Sequence, residues 1–205
     1  DGMVVLANPN APTGLALSRA EIERIVQENP DQVVLIDEAY VDFGAESCVP
    51  LTARYDNLLV VMTYSKSRAL AGARLGFAIG SRGLIEDLER IKYSTNPYNV
   101  NRITQACGTA AARFDGYYRS RCEEIAATRD RTADTLRGMG FRVLPSKANF
   151  LFAERPGLDG AALYRALRSR GILVRHFTQP RICQFNRITV GTPAQMDALT
   201  AAVQD

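Results

Sequence analysis

Short continuous apolar runs and amphipathic stretches follow one another along this chain in a regular order. Met3-Val4-Val5-Leu6-Ala7 is the first apolar run, the pattern of a strand buried on both faces. Nothing precedes it for that strand to pair with, so the sequence reads as one lacking an N-terminal part. Ser18 followed by Glu21 forms a capping box for a helix over roughly 19 to 28, and Val33 to Ile36 is the next apolar run, ending at Asp37-Glu38. Strand, helix and strand in that order predict a parallel sheet. Leu58 to Met62 and Leu75 to Ile79 continue the rhythm as two more strands.

Asn96-Pro97-Tyr98 interrupts any helix, and from Val100 to about Gly138 the chain is rich in Ala, Arg and Glu, which predicts one or two long helices. Short strands are then predicted at Phe141 to Leu144, Asn149 to Phe152, Ile172 to Arg175 and Arg187 to Val190. A helix from Ala161 to Ser169 and another near the C-terminus lie among them. The expected organisation is α/β, with part of a large, mostly parallel-sheet domain over residues 1–100. Connecting helices over 101–138 would lead to a smaller α+β domain over 139–205.

Composition narrows the function without changing this picture. The 205 residues are 46% apolar and 23% charged, with a formal net charge of +3 spread among interspersed acids and bases. No basic stripe marks a nucleic-acid partner, and no apolar run approaches the roughly 18 residues of a membrane span. No leader pattern of basic, apolar and small residues opens the chain. Cys48, Cys107, Cys122 and Cys183 are far apart and form no C-x-x-C pair, so reduced thiols in a cytoplasmic protein are expected, with no metal site. His176 is the single histidine, which argues against serine-histidine hydrolysis and multi-histidine metal chemistry. Small-molecule partners remain.

Polar residues collect where the predicted strands end, and in open α/β sheets ligands bind at carboxyl ends of strands. Asn10, Asp37 and Lys66 are therefore candidates for one site although far apart in sequence. Lys66 follows a buried strand directly, and a lysine amine becomes a nucleophile when burial or a cation such as Arg74 lowers its pKa. Thr63, Ser65 and Arg74 offer two hydroxyls and a planar fork suited to phosphate. Asp37 could be a helix cap or core ion pair, or an anion opposite a protonated pyridine nitrogen. Tyr40 is either a packed aromatic or a phenolic donor, and Asn8 to Gly14 has the make-up of a rigid turn. Gly72-Ala73-Arg74-Leu75-Gly76 lacks dinucleotide-fingerprint spacing.

In order and spacing, five segments resemble fold-type-I pyridoxal-phosphate enzymes, and within them the histidinol-phosphate aminotransferase family. They are NPNAPTG at Asn8 to Gly14, DEAY at Asp37 to Tyr40, Ser65-Lys66 with Ala69 to Gly76, NPYNVN at Asn96 to Asn101, and Arg187 to Thr192. The resemblance implies a fold-type-I transferase using pyridoxal 5'-phosphate, with Lys66 as its Schiff-base lysine and proton shuttle. Asp37 would face the pyridine nitrogen and Tyr40 the ring oxygen, while Thr63, Ser65 and Arg74 would bind the cofactor phosphate. Arg187 and Arg175 would grip the substrate anion. The family has Asn before Pro-Thr-Gly where this chain has Ala11, so Asn10 takes that role.

The implied reaction moves an amino group between L-histidinol phosphate and 2-oxoglutarate, giving glutamate, in histidine biosynthesis. A cytoplasmic homodimer is the implied assembly. An aromatic amino-acid aminotransferase, a phospho-amino-acid decarboxylase, or an inactive fragment needing its N-terminal half are the alternatives. Family members are longer, and the difference lies before Asp1.

Overall fold

The computed structural model describes residues 2–204. Its first sheet is built from β1 (Val4–Ala7), β2 (Val34–Asp37), β3 (Leu58–Thr63) and β4 (Gly76–Gly80), in that spatial order. β1, β2 and β3 run parallel, with Ala7, Asp37 and Val61 in register. The helix α1 (Arg19–Glu28) connects the first two and starts at the expected capping box: the Ser18 side chain accepts from Glu21 N and the Glu21 side chain from the Ser18 backbone. Ile22 and Val26, one turn apart, bury α1 against Val34, Ile36, Leu51, Leu58 and Val60.

The continuing parallel rhythm needs one correction at β4, which runs antiparallel to β3 with Thr63 opposite Gly76. A parallel return requires a crossover long enough to span the sheet, usually a helix. Residues 64–75 carry only a short 3-10 turn, Ala71–Ala73, so the chain comes straight back along the same edge. The carboxyl ends of β1, β2 and β3 and the start of β4 therefore share one rim. At that rim Gly76 has to be glycine-sized, because a Cβ there would lie 2.9 Å from the Met62 carbonyl oxygen.

Helix α2 (Arg82–Thr95) is an element that the periodicity reading passed over, although Leu84, Leu88 and Ile91 recur at helical spacing. None of its residues is buried, and Leu88 and Ile91 of its stripe stay exposed. It ends at Asn96, where the Asn-Pro pair was expected to break a helix. Then come α3 (Arg102–Arg113), capped by the Asn101 side chain on Thr104 N at 2.9 Å, and the long α4 (Asp115–Gly138).

The second sheet is antiparallel, ordered β5 (Arg142–Val143), β6 (Phe150–Glu154), β8 (Asn186–Thr189) and β7 (Arg175–His176). Its core joins Leu136 of α4, Leu163 and Leu167 of α5 (Gly160–Ser169), and Met196 and Leu199 of α6 (Pro193–Ala202). The strand expected over Ile172 to Arg175 shrinks to Arg175-His176. Gly171 is left-handed at φ 76° and Ile172 N still donates to Leu167 O at 3.0 Å, so 171–172 close the end of α5 instead.

Two contacts fix one sheet on the other. Arg129 of α4 is 2% exposed; its Nη1 donates to Phe43 O at 2.7 Å and Ala148 O at 3.1 Å, while Asp130 takes its Nε and Nη2 as a fork. Gly14 (φ 78°) lies against Ser146 so closely that a Cβ would overlap its side chain, and Lys147 N donates to Gly14 O at 2.8 Å.

Glu38, at 1% exposure, is buried where the first sheet meets its loops. Its carboxylate accepts from Ser47 Oγ at 2.7 Å and from Cys48 N. Burial pushes its pKa up, and those hydrogen bonds only partly oppose the rise; burial, then the Glu38 charge, pushes the Cys48 thiol up to about 12. A carboxyl whose folded pKa is raised favours folding below its unfolded pKa, and that stability is lost as pH rises through the folded value. Glu38→Gln keeps an acceptor for Cys48 N and carries no charge. Thermal unfolding should show it losing ground to wild type at pH 4 and gaining relative to it at pH 8; a pH-independent difference would contradict a raised Glu38.

Candidate active site

The rim of the first sheet gathers the expected polar residues from separate parts of the chain. Asp37 closes β2 with an exposed carboxylate, and its Oδ1 accepts from Ala39 N at 2.9 Å, a tight local turn that leads into the 3-10 turn Val41–Phe43. That turn presents Tyr40. Lys66, just past β3, is exposed, with Nζ 5.3 Å from the centre of the Tyr40 ring. Among the described residues, neither the Lys66 amine nor the Tyr40 hydroxyl has a hydrogen-bond or ion-pair partner.

Tyr40 also reaches the second sheet. Its ring meets Phe150, the first residue of β6, edge-on at 5.2 Å and 86°. On Phe150 lies the Arg187 guanidinium, its Cζ 5.1 Å from the ring centre. Lys66, Tyr40, Phe150 and Arg187 thus form one column of contacts running from the first sheet to the second.

Arg187 has no carboxylate partner among the described residues, and its Nε is buried without a hydrogen bond. Directly opposite it across the β7–β8 pair stands Arg175, whose Cζ lies 5.7 Å from the Phe177 ring. Like charges directly opposed destabilise a strand pair, and a buried unpaired N–H costs about 1–3 kcal/mol. An anion gripped by these guanidiniums removes both costs.

The expected phosphate donors divide. Thr63 Oγ1 donates to Leu75 O at 3.3 Å and accepts from Ser65 N at 3.0 Å, so its hydroxyl is engaged in closing the turn after β3. The Ser65 hydroxyl has no partner among the described residues. Arg74 is exposed, held at a left-handed φ of 53°, with Nη1 on Ala71 O at 3.2 Å. Asn10 Oδ1 accepts from Thr13 at 2.7 Å, leaving its amide nitrogen unpartnered among the described residues. In the same turn, Asn8 clamps the backbone of Leu17 from both sides, at 2.8 and 3.0 Å. The Asn96 to Asn101 stretch has Tyr98 at 89% exposure.

Phe150 and Arg129 are the residues that sequence reasoning passed over as site-builders. Phe150 read only as one of several apolar residues in a strand, and Arg129 is one of many arginines in α4, distinguished only by its burial.

The family described as "Aminotransferase class I and II" matches residues 1–203. The chain belongs to the class I and II aminotransferases. This aminotransferase chain is 57% identical over 203 residues to "Histidinol-phosphate aminotransferase 1" of Bordetella parapertussis, a match covering 99% of this chain and 57% of that protein. It is 53% identical to "Histidinol-phosphate aminotransferase 2" of Rhizobium meliloti, covering 100% and 58% respectively. A solved histidinol-phosphate aminotransferase from Sinorhizobium meliloti in complex with pyridoxal-5'-phosphate superposes with a TM-score of 0.86 at 28% identity, over 98% of this chain and 56% of that one. The chain thus spans a little over half the length of these relatives, and its α/β architecture is that of the fold-type-I aminotransferases.

In this aminotransferase fold, Phe150 is the joint between Tyr40 and Arg187. Phe150→Ala should cost about 3–5 kcal/mol in urea unfolding, as a buried aromatic truncation does. A loss below about 1 kcal/mol would show that the ring is not a packed joint.

Proposed function

We propose that this chain is part of a histidinol-phosphate aminotransferase that works with pyridoxal 5'-phosphate, with Lys66 as its covalent anchor. The observation that carries the reading is the rim itself, where, among the described residues, an unpartnered amine, an exposed carboxylate and an unpartnered phenol are linked through Phe150 to an arginine pair lacking a counterion. That donor set fits a cofactor bearing an aldehyde, a basic ring nitrogen, a ring oxygen and a phosphate. Bound there, the cofactor supplies the aldehyde and a ring that draws electrons from the reacting carbon.

The chain's own residues do the rest. Asp37 holds a proton on the ring nitrogen by its charge, and Tyr40 donates to the ring oxygen, with the Asn10 amide as a second donor. Ser65 and Arg74 bind the phosphate, while Thr63 supports them by holding the turn. Freed by the substrate amine, Lys66 Nζ would carry a proton from the substrate carbon to the carbon that the cofactor's aldehyde supplies, and the reverse in the second half-reaction. Arg187 and Arg175 grip the phosphate of histidinol phosphate in one half-reaction and a carboxylate of glutamate or 2-oxoglutarate in the other.

The proposed boundaries are 1–100 for the large-domain part, 101–138 for the connecting helices and 139–205 for the small domain; two separate apolar cores support a division in two, the second drawing in Ala133 and Leu136 of α4. Leu88, Ile91, Tyr93 and Ile103 are exposed on α2 and α3, which supports cover by further chain and a homodimer. No helix among the described residues is long and apolar enough to cross a membrane, and no group of three His, Cys, Asp or Glu there could hold a metal. The cytoplasm is the proposed location.

Single-turnover amine transfer by the full-length protein tests the substrate. Histidinol phosphate should react fastest; preference for phenylalanine or threonine phosphate would contradict the assignment. Arg187→Ala should raise KM for histidinol phosphate by about tenfold or more, the loss of one charge-assisted contact. An unchanged KM would remove Arg187 from the anion site.

A further inference from the structure

Apart from its contact with the Tyr40 ring, the Lys66 amine has no partner among the described residues to hold it. Its position is set by the backbone of residues 64–70, and that segment is conformationally unusual: Ala69, which has a Cβ, is held at a left-handed φ of 54°. Residues in that region persist only when their surroundings hold them. Within the segment, Leu70 N donates to Tyr64 O at 3.0 Å and Ala69 N to Lys66 O at 3.2 Å. The side chains of the two residues after the lysine reach away from the segment to a common target. Ser67, nearly buried, donates its hydroxyl to Asp42 Oδ2, and Arg68 Nη1 donates to the same oxygen at 3.2 Å. Asp42 lies in the 3-10 turn that follows Tyr40.

We propose that Asp42 is a positioning residue for Lys66, its carboxylate joining the segment that carries the lysine to the turn that carries Tyr40. The inference rests on the proposed role of Lys66. The link is braced from behind: Arg68 Nη2 donates to Asp115 Oδ1 at 2.6 Å at the first turn of α4, and Arg68 also lies 5.6 Å over the Tyr118 ring. Arg119, bonded to Asp115, and then Arg68 hold the Asp115 carboxyl below the usual carboxylate range, so that anchor stays charged. A single carboxylate therefore sets how far Lys66 stands from Tyr40. Removing it frees the segment on the lysine side and leaves Tyr40 on Phe150.

The test uses the full-length protein in two measurements, one without cofactor. Amide hydrogen exchange in the free protein reports on residues 65–70. Borohydride reduction after mixing with pyridoxal phosphate, followed by peptide mass mapping, gives the site and rate of capture. In Asp42→Ala, exchange over 65–70 should rise about tenfold or more while β1 and β2 stay as in wild type. Capture at Lys66 should slow by about ten- to a hundredfold, the scale of a misplaced reacting group. Asp42→Asn, which keeps an acceptor for Ser67 but loses the charge facing Arg68, should fall between. If Asp42→Ala fails to fold, Arg68→Ala removes one arm of the link and should raise exchange in the same segment.

Wild-type exchange over 65–70 in both Asp42→Ala and Arg68→Ala overturns the proposal, whatever happens to capture. Raised exchange with wild-type capture overturns it too, since the amine would then stand correctly without the link. Capture of the wild-type protein at a lysine other than Lys66 overturns the functional reading instead, and exchange alone then decides whether Asp42 holds the segment.

Discussion

A guanidinium buried between two sheets is the interaction on which the rest of this structure depends. Arg129 leaves α4 to donate to the carbonyl of Phe43, in the turn after Tyr40, and to that of Ala148, two residues before Phe150. A buried charge is tolerable only when paired and hydrogen-bonded, and Asp130 supplies the pairing from the solvent side. Both carbonyls would otherwise be hard to satisfy where α4 covers them. Because each belongs to a segment that presents an aromatic ring, Arg129 ties the segment of Tyr40 to that of Phe150.

The consequence is a site that neither sheet makes alone. The first sheet has its own core, around Ile22, Ile36 and Leu58, and places an amine and a carboxylate on its rim. The second has another, around Leu136, Leu151 and Ile188, and places on one edge two arginines without counterions among the described residues. Tyr40 and Phe150 are the only ring pair in contact across the divide among the described residues. The Gly14 contact with Ser146 adds a second point of attachment, and two points resist a rotation that one would allow.

Much of this was legible in the sequence, for reasons that can be named. Apolar runs marked β1, β2 and β3, although β1 turns only Val4 and Leu6 to the core and leaves Val5 57% exposed, so it is not the strand buried on both faces that its composition suggested; the Ser18–Glu21 spacing marked the start of α1. Asp37 and Lys66 stood out as polar groups at strand ends. What could not be read was direction and contact: β4 turns back antiparallel because of a connection whose shape is set by residues 64–75 together. The Ile172 to Val174 segment has strand-like composition, yet Ile172 closes the end of α5 and the strand starts only at Arg175, since hydrogen bonds outrank propensity there. Thr63 has the chemistry of an anion donor, and only the geometry shows its proton committed to Leu75 O. Arg129 looks like any helical arginine until its 2% exposure is seen.

The central claim is that Arg129 holds the two sheets as one unit, and calorimetry of Arg129→Met tests it most directly. Methionine fills much of the same space without donating to Phe43 O or Ala148 O. Two separated unfolding transitions in place of one are predicted, one for each sheet and its helices. A single cooperative transition at the wild-type Tm would contradict the account.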